Sequence, residues 1–88
     1  MAYIYILISD KDATYYVGST QNVDRRLAQH NAGAVRSTKS RRPWILRFVQ
    51  ECASVSKARK LEFKIKSWKK RAAIDDFIRE STMAKVGP

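Results

Sequence analysis

The sequence predicts a small α+β protein in which an antiparallel or mixed sheet is covered by helices, with the element order β-β-α-β-α-α. Short runs rich in aromatic and β-branched residues predict the strands, and apolar residues three or four positions apart predict the helices. The chain has 88 residues, 44% of them hydrophobic, which suits one core and no second. We expect a single domain over residues 1–80 and a frayed tail over 81–88, where apolar anchors are few.

Three segments have the composition of strands. Tyr3–Ser9 (YIYILIS) is apolar or aromatic at almost every position, which predicts a strand buried on both faces. Thr14–Ser19 (TYYVGS) predicts a second strand, which follows the turn-forming residues 10–13. Trp44–Glu51 (WILRFVQE) predicts a third strand, and Pro43 suits its start.

The helices are predicted by periodicity and by capping residues. Asn22 can cap a helix over Val23–Asn31, and Gly33 would end it. The other predicted elements are a basic, aperiodic loop over Ala34–Pro43, a helix from Ser54 or Ser56 to about Lys66, and a last helix capped by Ser67.

The predicted hairpin indicates which tyrosines share a face of the sheet. A two-residue loop of Asp10 and Lys11, or a four-residue loop about the same centre, would place Tyr5 directly opposite Tyr16. Because side chains alternate along a strand, Tyr15 would share the other face with Ile4, which is the core face. Tyr5 and Tyr16 then form either an ordinary cross-strand aromatic pair or part of a site beside Gly18, where a backbone can be approached closely.

The chain is strongly basic, with 18 Lys and Arg against 8 Asp and Glu and a formal net charge of +10. Most of the basic residues lie between Arg25 and Arg71, where Glu51 and Glu62 are the only acids. Such a field attracts polyanions such as the phosphate backbone of nucleic acids, although a solubilising surface is the alternative. The sequence has no membrane-length apolar segment, no signal peptide and one cysteine, so we expect a cytoplasmic protein without membrane partners.

Three charged or titratable side chains have more than one interpretation. Arg26 and His30 are four positions apart on the first predicted helix, so they project from one face, either as a solvated pair or as a functional one. Glu62 stands among basic residues at the edge of the apolar stripe of its helix. It is either a salt-bridge acceptor or a ligand for a hard cation such as Mg²⁺.

Together these residues resemble a known family. The ordered set is Tyr3-Ile4-Tyr5, then Tyr16-Val17-Gly18-Ser19-Thr20, then Arg26 with His30-Asn31, and finally Glu62 within EFKIK. This set resembles the GIY-YIG nuclease family, and most of all the small stand-alone bacterial members of the UPF0213 group, over about residues 2–78. The first tripeptide is YIY where the family motif has GIY, so only its final tyrosine carries over.

The resemblance implies a three-stranded antiparallel sheet flanked by helices and hydrolysis of DNA phosphodiester bonds with a single Mg²⁺ or Mn²⁺ ion, held by Glu62. It implies that Arg26 donates to the phosphate as negative charge builds in the transition state. Tyr5 or Tyr16 would take a proton from the attacking water, with Tyr5 favoured as the base and Tyr16 as its partner, and His30 would act as a relay. The phenol would need its anion stabilised, because the ordinary pKa of tyrosine is about 10.

Contacts with the nucleic-acid backbone are expected beside the site and in the basic loop. The net charge does not distinguish DNA from RNA as the ligand. No element resembles a sequence-reading motif, so a protein partner could supply the targeting. We expect a monomeric enzyme that acts in repair or recombination. The alternatives are a non-catalytic nucleic-acid-binding module on a nuclease scaffold and a basic protein associated with ribosomes or other RNA. The residues expected to contact the backbone are Gly18, Arg36, Lys39, Arg41 and Arg42.

Overall fold

The computed structural model describes the backbone of residues 1–86 and the side chains of residues 1–82. The expected element order is confirmed, with three strands in an antiparallel sheet and helices on both sides. A short 3₁₀ helix over Lys39–Arg41 lies in the segment that we expected to be a loop. The elements are β1 (Ala2–Ser9), β2 (Tyr15–Thr20), α1 (Val23–Asn31), β3 (Trp44–Cys52), α2 (Val55–Ser67) and α3 (Arg71–Val86).

The first strand is the centre of the sheet. The strand order is β2-β1-β3 and both pairings are antiparallel, so β2 and β3 are edge strands. Residues 4–7 of β1 are all buried, as expected for a strand covered on both faces. On one face an apolar core joins the sheet to α2 and α3, through Ile4, Ile6, Val17, Phe48, Ile65 and Ile78.

The opposite face of the sheet carries a second, smaller cluster covered by α1. Its buried members are Tyr5, Leu7 and Trp44, and Tyr16 and Leu27 pack against them. Alternation along β1 therefore sends isoleucines to the apolar face and a tyrosine to the face below α1.

The register of the hairpin differs by two residues from the one expected. Tyr5 lies opposite Gly18, and Leu7 lies opposite Tyr16, so the two tyrosines are diagonal neighbours and not direct partners. The cause is the connection over residues 10–13, where Ala13 has a φ of 60° and donates its N–H to the carbonyl of Ser9. A shift of two residues preserves the face of every side chain, so Tyr5 and Tyr16 still share a face.

The helix ends confirm some expectations and correct another. The side chain of Asn22 accepts a hydrogen bond from the N–H of Arg25 and caps α1, and Ser54 caps α2 in the same way. Ser67 is the last residue of α2 and not the cap of α3, because Lys69 with a φ of 54° separates the two helices.

The C-terminal helix is longer than expected. It extends to Val86, across most of the segment for which we expected fraying, and residues 87–88 of that segment lie outside the described residues. Within the described part of the chain, none of the helices has the length and apolar character needed to cross a membrane.

Candidate active site

A buried hydrogen-bonded chain lies between β1 and α1. The Oη of Tyr5 and the Nε2 of His30 are 3.0 Å apart, and the Nδ1 of His30 is 2.8 Å from the Oγ1 of Thr38. All three side chains are buried, with exposures of 2% or less. A buried polar group needs such partners, because an unpaired one costs about 1–3 kcal/mol.

Thr38 favours one tautomer of the histidine. Its hydroxyl has one proton, which it donates to the carbonyl of Val35 at 3.4 Å. The Nδ1–H of His30 then donates to Thr38, so Nε2 is free to accept the hydroxyl proton of Tyr5. The Nε1–H of Trp44 donates to the carbonyl of Thr38 and so fixes the loop segment from which Thr38 contacts His30.

Arg26 lies one helical turn before His30 on α1, and its guanidinium donates to the side chain of Gln29 at 3.0 Å. Burial raises the pKa of Tyr5, while a hydrogen bond from Arg26 lowers it. Burial, and then the positive charge of Arg26, lower the pKa of His30. The histidine is therefore neutral at physiological pH, beside a permanent cation.

Glu62 reaches the same place from the opposite side of the sheet. One carboxylate oxygen accepts a hydrogen bond from the hydroxyl of Ser19 at 2.6 Å, and the other accepts from the Nζ of Lys66 at 2.7 Å. Its negative charge is close enough to raise the pKa of Tyr5. Because β2 is an edge strand, α2 can approach from one face and α1 from the other, so the site lies around the β2 edge.

Tyr16 lies where these two halves meet. Its ring centroid is 4.9 Å from that of His30 and 6.4 Å from that of Tyr5. The ammonium of Lys66 lies 5.7 Å from the centroid of the same ring, a distance suited to a cation–π contact. The two tyrosines, Arg26, His30 and Glu62 are thus brought together as the resemblance implies.

Tyr15 has the structural role that strand alternation predicted. It packs against the apolar core, and its hydroxyl donates to a carboxylate oxygen of Asp75 at 2.5 Å. The guanidinium of Arg71 stacks over its ring at 4.1 Å. Neighbouring tyrosines in the sequence therefore serve different faces of the sheet.

Gly18 makes room for a side chain and not for a ligand. A Cβ at this position would lie 2.5 Å from the Cζ and Oη of Tyr5, which is far inside van der Waals contact. We expected the missing side chain to open the backbone to a phosphate, but the phenol of Tyr5 fills that space.

The basic residues of the loop divide into two groups. Arg36 and Lys39 are exposed, and within the described residues their charged ends have no hydrogen-bond or ion-pair partner. Arg41 pairs with Asp12 at 3.1 Å, and Arg42 donates to the carbonyl of Lys39 at 2.8 Å. Contacts with nucleic acid remain a prediction for all four.

Sequence reasoning missed three side chains that the structure places in the site. Thr38 lies in an aperiodic loop, where no spacing relates it to His30. Ser19 was noted only as a member of the motif. Lys66 could have been found, because four positions after Glu62 is the spacing of a helical ion pair.

The resemblance to the GIY-YIG family implies a sheet of this order, with two tyrosines, an arginine, a histidine and a glutamate around one edge strand. Comparison with known proteins identifies the same family. The family model of the GIY-YIG catalytic domain matches residues 1–75. The chain belongs to the GIY-YIG family, and so to a nuclease superfamily.

UPF0213 proteins are similar to this chain in sequence and in structure. One from Staphylococcus haemolyticus is 40% identical over 70 residues, which cover 78% of this chain and 84% of the relative. One from Halobacterium salinarum is 42% identical over 67 residues, covering 75% and 86%. The solution NMR structure of the UPF0213 protein BH0048 from Bacillus halodurans is similar with a TM-score of 0.56 and 31% identity, over 90% of this chain and 84% of that one.

Proposed function

We propose that this protein is a divalent-metal-dependent endonuclease that hydrolyses DNA phosphodiester bonds. The observation that carries the proposal is the convergence of Arg26 and Glu62 on the hydrogen-bonded pair of Tyr5 and His30. These groups supply a base with a proton acceptor behind it, a phosphate-binding cation and an oxygen ligand. Metal-assisted phosphodiester hydrolysis can use each of them.

Glu62 has the donor chemistry to hold Mg²⁺ or Mn²⁺. Mg²⁺ is usually bound by one or two carboxylates, with water and substrate phosphate completing its ligands, and the side chain of Glu62 is 22% exposed. Its oxygens already accept from Ser19 and Lys66, so the ammonium of Lys66 would compete with the ion for the carboxylate. A bound ion would polarise the scissile phosphate and stabilise the leaving oxygen.

Tyr5 is the proposed base. As its oxygen takes a proton from the attacking water, its own hydroxyl proton passes to Nε2 of His30, 3.0 Å away. The lowered pKa of His30 keeps the ring neutral beforehand, so Nε2 is available as the acceptor. His30 then carries the proton, and Thr38 holds the ring in place through Nδ1.

Arg26 and Tyr16 bind the phosphate in this proposal. The planar guanidinium of Arg26 can donate two hydrogen bonds to non-bridging oxygens, where negative charge increases in the transition state. Tyr16 is partly exposed beside the buried Tyr5 and can donate to the same group. Arg36 and Lys39 would bind phosphates along the backbone, with affinity that falls steeply as salt increases.

The test is cleavage of single-stranded, nicked, branched and duplex DNA in Mg²⁺ or Mn²⁺. We expect at least one form to be cut, and Glu62→Ala and Tyr5→Phe to lower the rate by about 100-fold or more. Tyr15→Phe is the matched control, since it removes a hydroxyl from the opposite face, and it should remain within a few-fold of wild type.

Two outcomes would reject the proposal. Metal-dependent cutting that survives both Glu62→Ala and Tyr5→Phe would show that the catalytic groups lie elsewhere. Failure to cut any DNA form, together with salt-sensitive binding, would favour the non-catalytic nucleic-acid-binding module.

A further inference from the structure

Phe63 is the most exposed large apolar residue of the described chain, at 77% of its full surface. A single exposed apolar side chain is common on protein surfaces. Its surroundings are less common, because Phe63 lines an open depression with two cations, Arg59 and Lys60. Arg59 lies four residues before Phe63 on α2, so the two project from one face, one turn apart.

This depression connects to the candidate active site along the surface. It shares Val55 and Arg59 with a second depression, which extends to residues 19–21 at the C-terminal end of β2. Residues 19–21 also line a third depression, which contains Arg25 and Arg26. We call the three together the α2 groove, and its lining includes Arg25, Arg26, Val55, Arg59, Lys60 and Phe63.

The charge of the α2 groove is of one sign. Arginine and lysine supply all of its charged lining residues, and no carboxylate of the described chain lines it. Arg59 and Lys60 have no hydrogen-bond or ion-pair partner among the described residues, so their charges are available to a ligand. An apolar protein partner would cover Phe63 but would leave these cations without counter-charges.

We infer that the α2 groove binds a single-stranded segment of DNA next to the bond that is cut, with an unpaired base stacked on Phe63 and backbone phosphates on Arg59 and Lys60. Stacking on aromatic side chains combined with a basic groove is how proteins hold single strands without reading sequence. A base inside a duplex has both faces covered by its neighbours, so it offers nothing to Phe63. The inference rests on the proposed function, because it specifies the strandedness of that substrate.

The experiment measures binding by fluorescence anisotropy, with EDTA present so that the wild-type chain cannot cleave. The ligands are a labelled single strand, a blunt duplex of equal length and a duplex with a single-stranded overhang. Phe63→Ala should weaken binding of the single strand and the overhang about fivefold or more, and binding of the blunt duplex less than twofold. Phe63→Trp should restore or tighten single-strand binding.

Charge is tested separately by the salt dependence of binding. Arg59→Gln should reduce the slope of log affinity against log salt by about one unit, whereas Phe63→Ala should leave the slope unchanged. Lys57→Gln is the matched control, because it removes one charge from α2 at a residue that does not line the groove. The control should change single-strand affinity less than Arg59→Gln does.

Equal weakening of single strand and blunt duplex by Phe63→Ala, or no weakening of either, would overturn the inference. Its failure is distinguishable from failure of the proposed function. If Glu62-dependent cleavage occurs while Phe63→Ala has no effect on binding, the function stands and the inference falls. If no DNA is cut but the selective effect of Phe63→Ala is found, the groove binds single strands on a non-catalytic module.

Discussion

The two faces of β1 are equally buried but are made of different chemistry. On one face Ile4 and Ile6, both with no exposed surface, pack against Ile65 and Ile78. On the other face Tyr5 is buried to almost the same degree, but its hydroxyl is hydrogen bonded to a histidine. One strand therefore supplies both the core that holds the fold and the buried group that we propose as the catalytic base.

The difference between the faces shows what each one tolerates. Apolar packing depends on volume, so it accepts side chains of similar size. The face with Tyr5 and His30 depends on particular atoms, and every buried side-chain nitrogen or oxygen of the described residues has a hydrogen-bond partner. Substitutions on the apolar face should therefore change stability alone, and substitutions on the polar face should also change chemistry or pH dependence.

The largest effect on stability is expected on the apolar face. Ile6→Ala removes a fully buried side chain and leaves a cavity, which should lower the free energy of unfolding by about 2–5 kcal/mol in urea denaturation. Val55→Ala, at a residue 38% exposed on α2, is the control and should cost less than about 1 kcal/mol. Equal costs would show that the isoleucine face is not the core.

Gly18→Ala tests the contact between β2 and the buried tyrosine. The new methyl group would meet the ring of Tyr5 at 2.5 Å, and His30 lies at the hydroxyl end of that ring. We expect a loss of about 1–3 kcal/mol in the free energy of unfolding and displaced NMR signals of the His30 ring. Wild-type stability with unchanged imidazole signals would contradict this packing.

Acid should destabilise the fold through His30. The pKa of His30 is lowered from 6.5 by burial and by Arg26. The contribution of the neutral imidazole to the free energy of unfolding is therefore complete above about pH 6.5, and it is lost as the pH falls toward the folded-state pKa. The loss should not exceed about 1.4 kcal/mol per pH unit. Urea denaturation at pH 7.5 and 5.0 measures it.

His30→Gln should remove most of that dependence. Asp12 does not interfere over this range, because hydrogen bonds from Thr14 lower its pKa to about 2. An equal pH dependence in wild type and His30→Gln would assign the effect to another group.

The smallest effect is expected at Lys66. Its side chain is 47% exposed, and its ammonium lies 2.7 Å from the carboxylate of Glu62, where it competes with any cation. Because exposed ion pairs contribute less than about 1 kcal/mol, Lys66→Met should tighten Mn²⁺ binding only about two- to fivefold in calorimetry. Lys64→Met, an equal change of charge at an exposed residue of the same helix, should not tighten it. Weaker Mn²⁺ binding by Lys66→Met would show that the lysine does not compete for the site.

The sequence predicted most of the fold because alternation and helical periodicity are local properties. Alternation separated Tyr15 from Tyr16 even though the expected register was wrong by two residues, since that shift leaves each side chain on its face. The register itself depends on Ala13, a residue in the left-handed region where the sequence has no glycine to signal it.

The candidate site was harder to predict where its contacts cross between elements. No pattern connects His30 with Thr38, because the chain between them is aperiodic and the contact depends on how the loop packs under Trp44. Gly18 could be recognised as a position that needs clearance. What fills the space was decided by the opposite strand, which places Tyr5 there.

The claim that Glu62 of α2 brings a metal ion to the β2 edge, beside Ser19 and Tyr16, is tested most directly by Mn²⁺ in an NMR titration of the ¹⁵N-labelled protein. Paramagnetic broadening should begin at the amides of Glu62, Ser19 and Tyr16 and should be lost in Glu62→Gln. Broadening centred on Asp75 and Asp76 of α3, or unchanged in Glu62→Gln, would contradict the account.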